Sequence, residues 1–195
     1  MTVILATKNR HKFEEMKSIL SDLKIVLICA ADIPDLPDVV EDKETIEENS
    51  IKKAKEIALF TQMPAIADDT GFFVPALNDE PGVYAARYAG ENCSYTDNVK
   101  KMLKNMEGVN DRQARFETVV TLAFPDKDEV ITRKGIIKGH IIESPRGNSG
   151  FGYDPIFIPE GFDKTFAELS DEEKNQISHR ARAFQAILPV LRDIL

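Results

Sequence analysis

The sequence predicts an α/β protein, and three observations carry that reading. A β-branched apolar run at the start of the chain, Thr2 to Ala6, has the composition of a buried parallel-type strand and leads directly into an amphipathic helix. A second strand candidate, Lys24 to Cys29, precedes a helix with its own start signal, and a third apolar run, Ala65 to Ala67, follows that helix. Two longer strand candidates then flank a turn in the second half of the chain. At 195 residues the chain is long enough to bury a real core as one domain.

The first helix takes its inward face from Phe13, Met16, Leu20 and Leu23, which recur at helical spacing. Between strand and helix lies Thr7-Lys8-Asn9-Arg10-His11-Lys12. Free N–H groups and the helix dipole favour an anion there, and Lys8, Arg10 and Lys12 add positive charge. The segment lacks the glycines and Gly-Lys-Ser/Thr of a Walker A loop. A solvated basic loop is the alternative, but the strand-to-helix switch favours phosphate contact.

After Lys24 to Cys29 comes a loop with Pro34 and Pro37, then the acidic segment Glu41-Asp42-Lys43-Glu44. Thr45 and Glu48 form a capping box for a helix from Ile46 to Phe60. Asn49 and Lys53, four apart, share one face of it. Ile51, Ala54 and Ala58 mark a neighbouring face for packing.

The stretch from Pro64 to Gly90 organises the chain. Its apolar run Ala65 to Ala67 delivers Asp68 and Asp69 to a strand end, Thr70-Gly71 is expected to turn the chain, and a second apolar run follows from Phe72 to Leu77. Two adjacent carboxylates in apolar flanks resist burial unless a cation or donor neutralises them. Oxygen ligands at a strand end suit a hard ion such as Mg²⁺. The competing reading is a solvated Asp-Asp turn between hairpin strands.

Downstream, Asp79-Glu80-Pro81-Gly82 reads as a turn, and Arg87 follows in AARYAG. Ser94 to Met106 is a helix with Val99, Met102 and Leu103 inside. Arg115 to Phe124 and Glu129 to Ile142 form a β-hairpin around Pro125-Asp126-Lys127-Asp128. In Pro145 to Pro155, three glycines interleave with Phe151 and Tyr153. That is either a loop where backbone approaches a flat ligand and a ring stacks on it, or a Gly-rich turn with two core aromatics. His179 and Arg180 open the last helix, placed to donate hydrogen bonds to a ligand or to sit as a plain surface pair. That helix buries Phe184, Ile187, Leu188 and Leu191, and Pro189 is expected to kink it.

Composition narrows the function classes. A hydrophobic content of 43% with 30% charged residues is that of a soluble globular protein. The net charge of −8 argues against nucleic acid or an anionic membrane as partner. Cys29 and Cys93 fit no C-x-x-C pattern and read as packed thiols in a reducing compartment. Val3 to Ala6 is too short for a signal peptide, and no run approaches the ~20 apolar residues of a membrane span. The expected location is cytoplasmic.

Taken together the motifs become specific. Thr7-x-Asn9-x-x-Lys12, Thr45-x-x-Glu48-Asn49, Ala67-Asp68-Asp69-Thr70-Gly71, Pro81-Gly82 with Ala86-Arg87-Tyr88, Gly150-Phe151-Gly152-Tyr153-Asp154-Pro155, and Lys174-Asn175 before Ser178-His179-Arg180 occur in that order. This set resembles the inosine triphosphate pyrophosphatase family over nearly the whole chain. The resemblance implies an elongated mixed sheet flanked by helices, one domain over 1–195 in two lobes with the active site in the cleft between them, and a homodimer. It implies a small nucleoside triphosphate as substrate, with water attacking the α-phosphorus to release pyrophosphate.

By the same resemblance Thr7, Asn9 and Lys12 hold phosphates, and Lys53 adds charge. Glu41 and Asp69 correspond to ligands of Mg²⁺, with Mn²⁺ as the alternative ion, and Asp69 to the proton acceptor. Thr70 and Arg87 match substrate contacts. Phe151, Gly152, Tyr153 and Asp154 correspond to the base-side loop, and Lys174, His179 and Arg180 to readers of the purine 6-oxo edge. Three positions depart from the family pattern: Lys8 stands where glycine is usual, Asn78-Asp79-Glu80 replaces a Gly-rich turn, and Thr70 replaces serine.

Overall fold

β-Branched and apolar side chains with no exposed surface, Val3, Ile4 and Leu5, build the first strand. In the computed structural model, which describes residues 1–194, the strands are β1 (Thr2–Leu5), β2 (Val26–Cys29), β3 (Ala65–Val74), β4 (Glu80–Gly82), β5 (Gln113–Ala123), β6 (Ile131–Ile141) and β7 (Phe157–Pro159). The helices are α1 (Arg10–Ile19), α2 (Ile46–Thr61), α3 (Tyr95–Asn105), α4 (Asp171–Ile177) and α5 (His179–Ile194). The fold is mixed α/β: one seven-stranded sheet in the order β2-β1-β3-β5-β6-β7, with β4 paired to β3. β1 runs parallel to β2 and β3, whereas β3–β4 and β6–β7 are antiparallel.

The chain divides into two compact units. The first comprises Met1–Asp69, Thr118–Gly135 and the C-terminal segment from Arg180; the second comprises Thr70–Glu117 and Ile136–His179.

In the first unit the two-residue period of the strands sorts side chains onto two helix-covered faces. Val3, Leu5, Ile66, Val120 and Leu122 pack with Phe13, Met16 and Leu20 of α1 and with Phe184, Ile187 and Leu191 of α5. Their alternates, Ile4, Ala6, Ala65, Ala67 and Ala123, pack with Ala54, Ile57 and Ala58 of α2. Each large side chain fully buried this way contributes about 1.5–3 kcal/mol. The small residues on the α2 face let that helix lie close to the sheet. Ser50 Oγ donates to the Ala67 carbonyl at 3.3 Å and shares a 2.7 Å hydrogen bond with Thr121 Oγ1, fixing α2 against β3 and β5.

The second unit is built on aromatic rings. Phe72, Phe116, Tyr153, Phe157 and Phe166 pack with Val99, Met102 and Met106, the inner stripe of α3 and its C-cap. Ser94 caps α3 and exchanges hydrogen bonds with Asp97.

Two expectations are corrected. The chain does not turn at Thr70-Gly71; β3 runs unbroken from Ala65 to Val74. Gly71 serves close packing, because a Cβ there would lie 2.5 Å from the Phe73 ring and 3.0 Å from the Gly82 carbonyl oxygen. The reversal comes later, where Asn78 and Asp79 adopt left-handed backbone (φ +54° and +63°) and β4 folds back on β3. The second strand begins at Val26 rather than Lys24. Among the described residues no helix is long and apolar enough to cross a membrane.

Candidate active site

The first turn of α1 is assembled by two of the expected phosphate ligands. Asn9 is its N-cap, accepting from the backbone N–H of His11 at 3.0 Å and of Lys12 at 3.3 Å. Thr7 Oγ1 in turn accepts from the Asn9 N–H at 3.1 Å. Both side chains thereby set the shape of the strand-to-helix turn. The three cations of this segment diverge. Arg10 pairs with Asp32, and Lys8 donates to Asp38 at 2.6 Å and to the Leu36 carbonyl at 3.2 Å. Lys12 alone turns inward, to Asp68 Oδ2 at 3.3 Å.

Asp68 and Asp69 are both buried, at 1% and 5% exposure, which excludes the solvated-turn reading. Strand alternation puts Asp68 on the side of Ile66, toward α1 and α5, and Asp69 on the side of Ala67, toward α2. Asp68 Oδ2 accepts from Arg180 Nε and Nη2, both at 3.1 Å, and Arg180 Nη1 donates to Glu15. Burial alone would raise the Asp68 pKa, but Lys12, Arg180 and Lys53 together outweigh it and hold the carboxyl well below its usual range. Burial likewise opposes charge on Arg180, and Asp68 and Glu15 more than compensate.

On the other side, Lys53 of α2 pairs with Glu41. Desolvation would lower the Lys53 pKa, yet Glu41, Asp68 and Asp69 raise it above its ordinary value. Glu41 is depressed because Lys53 overcomes the cost of burial. An ammonium stabilised by these acids marks a place that favours positive charge. Among the described residues no group of three or more His, Cys, Asp or Glu is gathered for a metal. The acids present fit Mg²⁺, which binds through one or two carboxylates and fills its other positions with water and phosphate oxygens.

In the second unit the glycine-rich loop is held from beneath. Asp154 Oδ2 accepts from the Phe151 N–H at 2.9 Å and from Lys174 Nζ at 2.7 Å, a buried ion pair. Gly150 and Gly152 take left-handed backbone (φ +74° and +64°), and a Cβ on Gly150 would meet Asp154 Oδ2 at 2.2 Å. Phe151 is half-buried, with the Lys174 ammonium 4.8 Å from its ring centre. Tyr153 is a core residue, stacked on Phe72 at 4.6 Å and donating its hydroxyl to the Ala85 carbonyl at 2.8 Å. Burial pushes its phenol pKa up. Of the two aromatics of this loop, Tyr153 lies in the core and Phe151 is only partly buried. Thr70 is half-buried in β3, and the Arg87 guanidinium lies 5.1 Å over the Tyr84 ring.

His179 and Arg180 do not form the adjacent surface pair that their place at a helix start suggested. His179 is stacked on Phe116 at 4.6 Å, with an interplanar angle of 13°. Arg180 is buried at 1% exposure on carboxylates. Sequence reasoning missed Glu15, whose three-residue spacing from Lys12 on one helix face was the available signal. It also passed over Asp68 as distinct from Asp69, a difference that strand parity makes legible.

The model of the Ham1 family matches residues 3–190. A dITP/XTP pyrophosphatase of Thermoanaerobacter pseudethanolicus is 45% identical over 96% of this chain and 94% of the relative. One from Flavobacterium johnsoniae is 46% identical over 98% of each. The structure of a HAM1 protein from Coxiella burnetii superposes with a TM-score of 0.90 at 39% identity, covering 99% of both chains.

Proposed function

This chain belongs to the Ham1 family, and from that premise we propose that it hydrolyses the non-standard purine nucleoside triphosphates ITP, dITP and XTP to the monophosphate and pyrophosphate, cleansing the nucleotide pool. The observation that carries the reading is the charge layout around the end of β1 and the middle of β3. Three cations, Lys12, Lys53 and Arg180, stand among four acids, Glu15, Glu41, Asp68 and Asp69, beside a capped helix start. An acidic protein needs such local positive charge to hold a triphosphate.

In this reading Thr7, Asn9 and the first N–H groups of α1 receive phosphate oxygens, and Lys12 and Lys53 neutralise them. Asp69 accepts the proton of the attacking water, so that oxygen adds to the α-phosphorus as the bond to the bridging oxygen breaks and pyrophosphate leaves. Glu41 and Asp69 would hold Mg²⁺, or Mn²⁺ in its place, which when bound supplies Lewis-acid stabilisation of the phosphoryl charge. Asp68 holds Arg180 and Lys12 in position. The 6-oxo edge is read by Lys174, His179 and Arg180, each held in place by its buried neighbours. Phe151 supplies a face for the base, Gly152 the close backbone, and Tyr153 and Asp154 the support beneath; Thr70 and Arg87 add contacts to substrate. A 6-amino group in place of the 6-oxo leaves donors unmatched, at about 1–3 kcal/mol each. Homodimerisation and a cytoplasmic location complete the proposal.

Pyrophosphate release from ITP, XTP, GTP, dUTP and ATP, with and without Mg²⁺, tests it. ITP and XTP should be turned over at least tenfold faster than ATP and dUTP, and chelation should abolish turnover. Equal rates across the five, or turnover in excess chelator, would overturn it.

A further inference from the structure

Glu41 lies in an irregular segment, yet its backbone is held on both sides by the helix that follows. On the N-terminal side, Lys52 Nζ donates to the Val40 carbonyl at 2.7 Å and to Asp42 Oδ1 at 2.9 Å. On the C-terminal side, the Lys43 N–H donates to Asn49 Oδ1 at 2.9 Å, and Asn49 is 2% exposed. Between these anchors the Glu41 carboxylate meets Lys53 of the same helix. Three residues within five positions of α2 therefore grip residues 40–43. The helix itself is fixed to the sheet one residue before Asp68, through Ser50 and the Ala67 carbonyl.

We infer that Asn49 and Lys52 are positioning residues for the metal ligand Glu41. With the backbone pinned at Val40 and Lys43, the carboxylate can pass from the Lys53 ammonium to a divalent ion by side-chain rotation alone. An unpinned segment would have to be ordered each time an ion bound, at a cost in affinity. This rests on the reading of Glu41 as a metal ligand. The buried, backbone-bonded Asn49 fixes one end of the segment; the more accessible Lys52 fixes the other, so each can be removed separately.

The test is Mn²⁺ binding to the nucleotide-free protein, followed by electron paramagnetic resonance, alongside the apparent KM for Mg²⁺ during ITP hydrolysis. Asn49→Ala and Lys52→Met should each weaken Mn²⁺ binding and raise the Mg²⁺ KM by about tenfold, the lower end of what supporting residues contribute to metal sites. At saturating Mg²⁺, kcat should change less than threefold. Asn49→Asp and Lys52→Arg, which keep the acceptor and the donors, should restore metal affinity. A merely structural role would lower the melting temperature without this split and without rescue of metal affinity. Unchanged Mn²⁺ affinity in Lys52→Met, with a melting temperature showing that the variant is folded, would overturn the inference. Glu41→Gln separates the two levels. If it leaves Mn²⁺ binding unchanged, the ligand assignment fails; if it abolishes binding while Asn49→Ala and Lys52→Met do not affect it, only the positioning roles fail.

Discussion

The two units of this chain solve the burial of charge in opposite ways. The first gathers acids and bases into a connected set: Glu15, Arg180, Asp68 and Lys12 toward α1 and α5, and Lys53 with Glu41 toward α2. The second sets a buried pair, Lys174–Asp154, against the rings of Phe151 and Phe166, beside a core in which Phe72, Phe116, Phe166 and His179 pack ring on ring. Charge on many neighbouring groups suits a polyanion, whose own charge must be met. A flat aromatic lining with one fixed pair suits an uncharged heterocycle, whose edge is read by few hydrogen bonds. In the proposed function, triphosphate chemistry falls to the first set of residues and base selection to the second.

Substitutions that keep shape while removing one property can break this contrast. The largest effect is expected for Asp69→Asn, which should lower kcat for ITP about a thousandfold with folding intact, as loss of a general base does. Near-normal single-turnover rates would remove Asp69 from the chemistry. Asp68→Asn should instead show in stability. It leaves Arg180 and Lys12 short of a buried counter-charge, at about 3–5 kcal/mol in urea unfolding. The pH dependence follows from the direction of the shift. The folded Asp68 carboxyl titrates below its unfolded value of about 3.9, so the unfolded chain takes up the proton first as the solution is acidified. The stabilisation is complete above about pH 4 to 5 and drains away as pH falls toward the folded pKa. Urea melts between pH 7 and pH 3 should therefore show a steeper acid loss for the parent than for Asp68→Asn.

Smaller effects belong to the second unit. His179→Phe keeps an aromatic ring against Phe116, slightly larger than the imidazole, and removes the ring nitrogens. It should narrow the ratio of kcat/KM for ITP over ATP about tenfold, with little change in melting temperature. An unchanged ratio would place the 6-oxo contact on another side chain. Tyr153→Phe should be the mildest, costing about 1 kcal/mol for the hydrogen bond to Ala85 and leaving substrate preference alone. A change in preference would mean that this hydroxyl meets the base.

Much of this is legible in the amino-acid sequence alone. The alternation of strand and helix, the N-cap at Thr45, the amphipathic stripe of α1 and the six ordered motifs all rest on local periodicity and spacing, which sequence records directly. What escapes it is long-range. Thr70-Gly71 resembles a turn because glycine signals turns on average, while here it answers the nearness of Phe73 and Gly82, partners defined only by the folded sheet. Arg180 resembles a surface donor because nothing local shows that Asp68, more than a hundred positions away, would claim it. Lys8 stands out as a departure from the family pattern, and only the fold shows where it goes, to the 36–38 segment.

The unbroken course of β3 has a consequence for how this protein can tolerate insertions and deletions. Its two neighbouring aspartates are not a duplicated resource; they look out of opposite sides of one ribbon toward different helices. Adding or losing one residue between Ile66 and Asp68 would leave the amino-acid content almost unaltered, yet it would turn each acid toward the other's counterpart. If Asp69 acts as proposed, enzymatic competence in this chain depends on whether a residue count is odd or even, a property that no inventory of side chains would disclose.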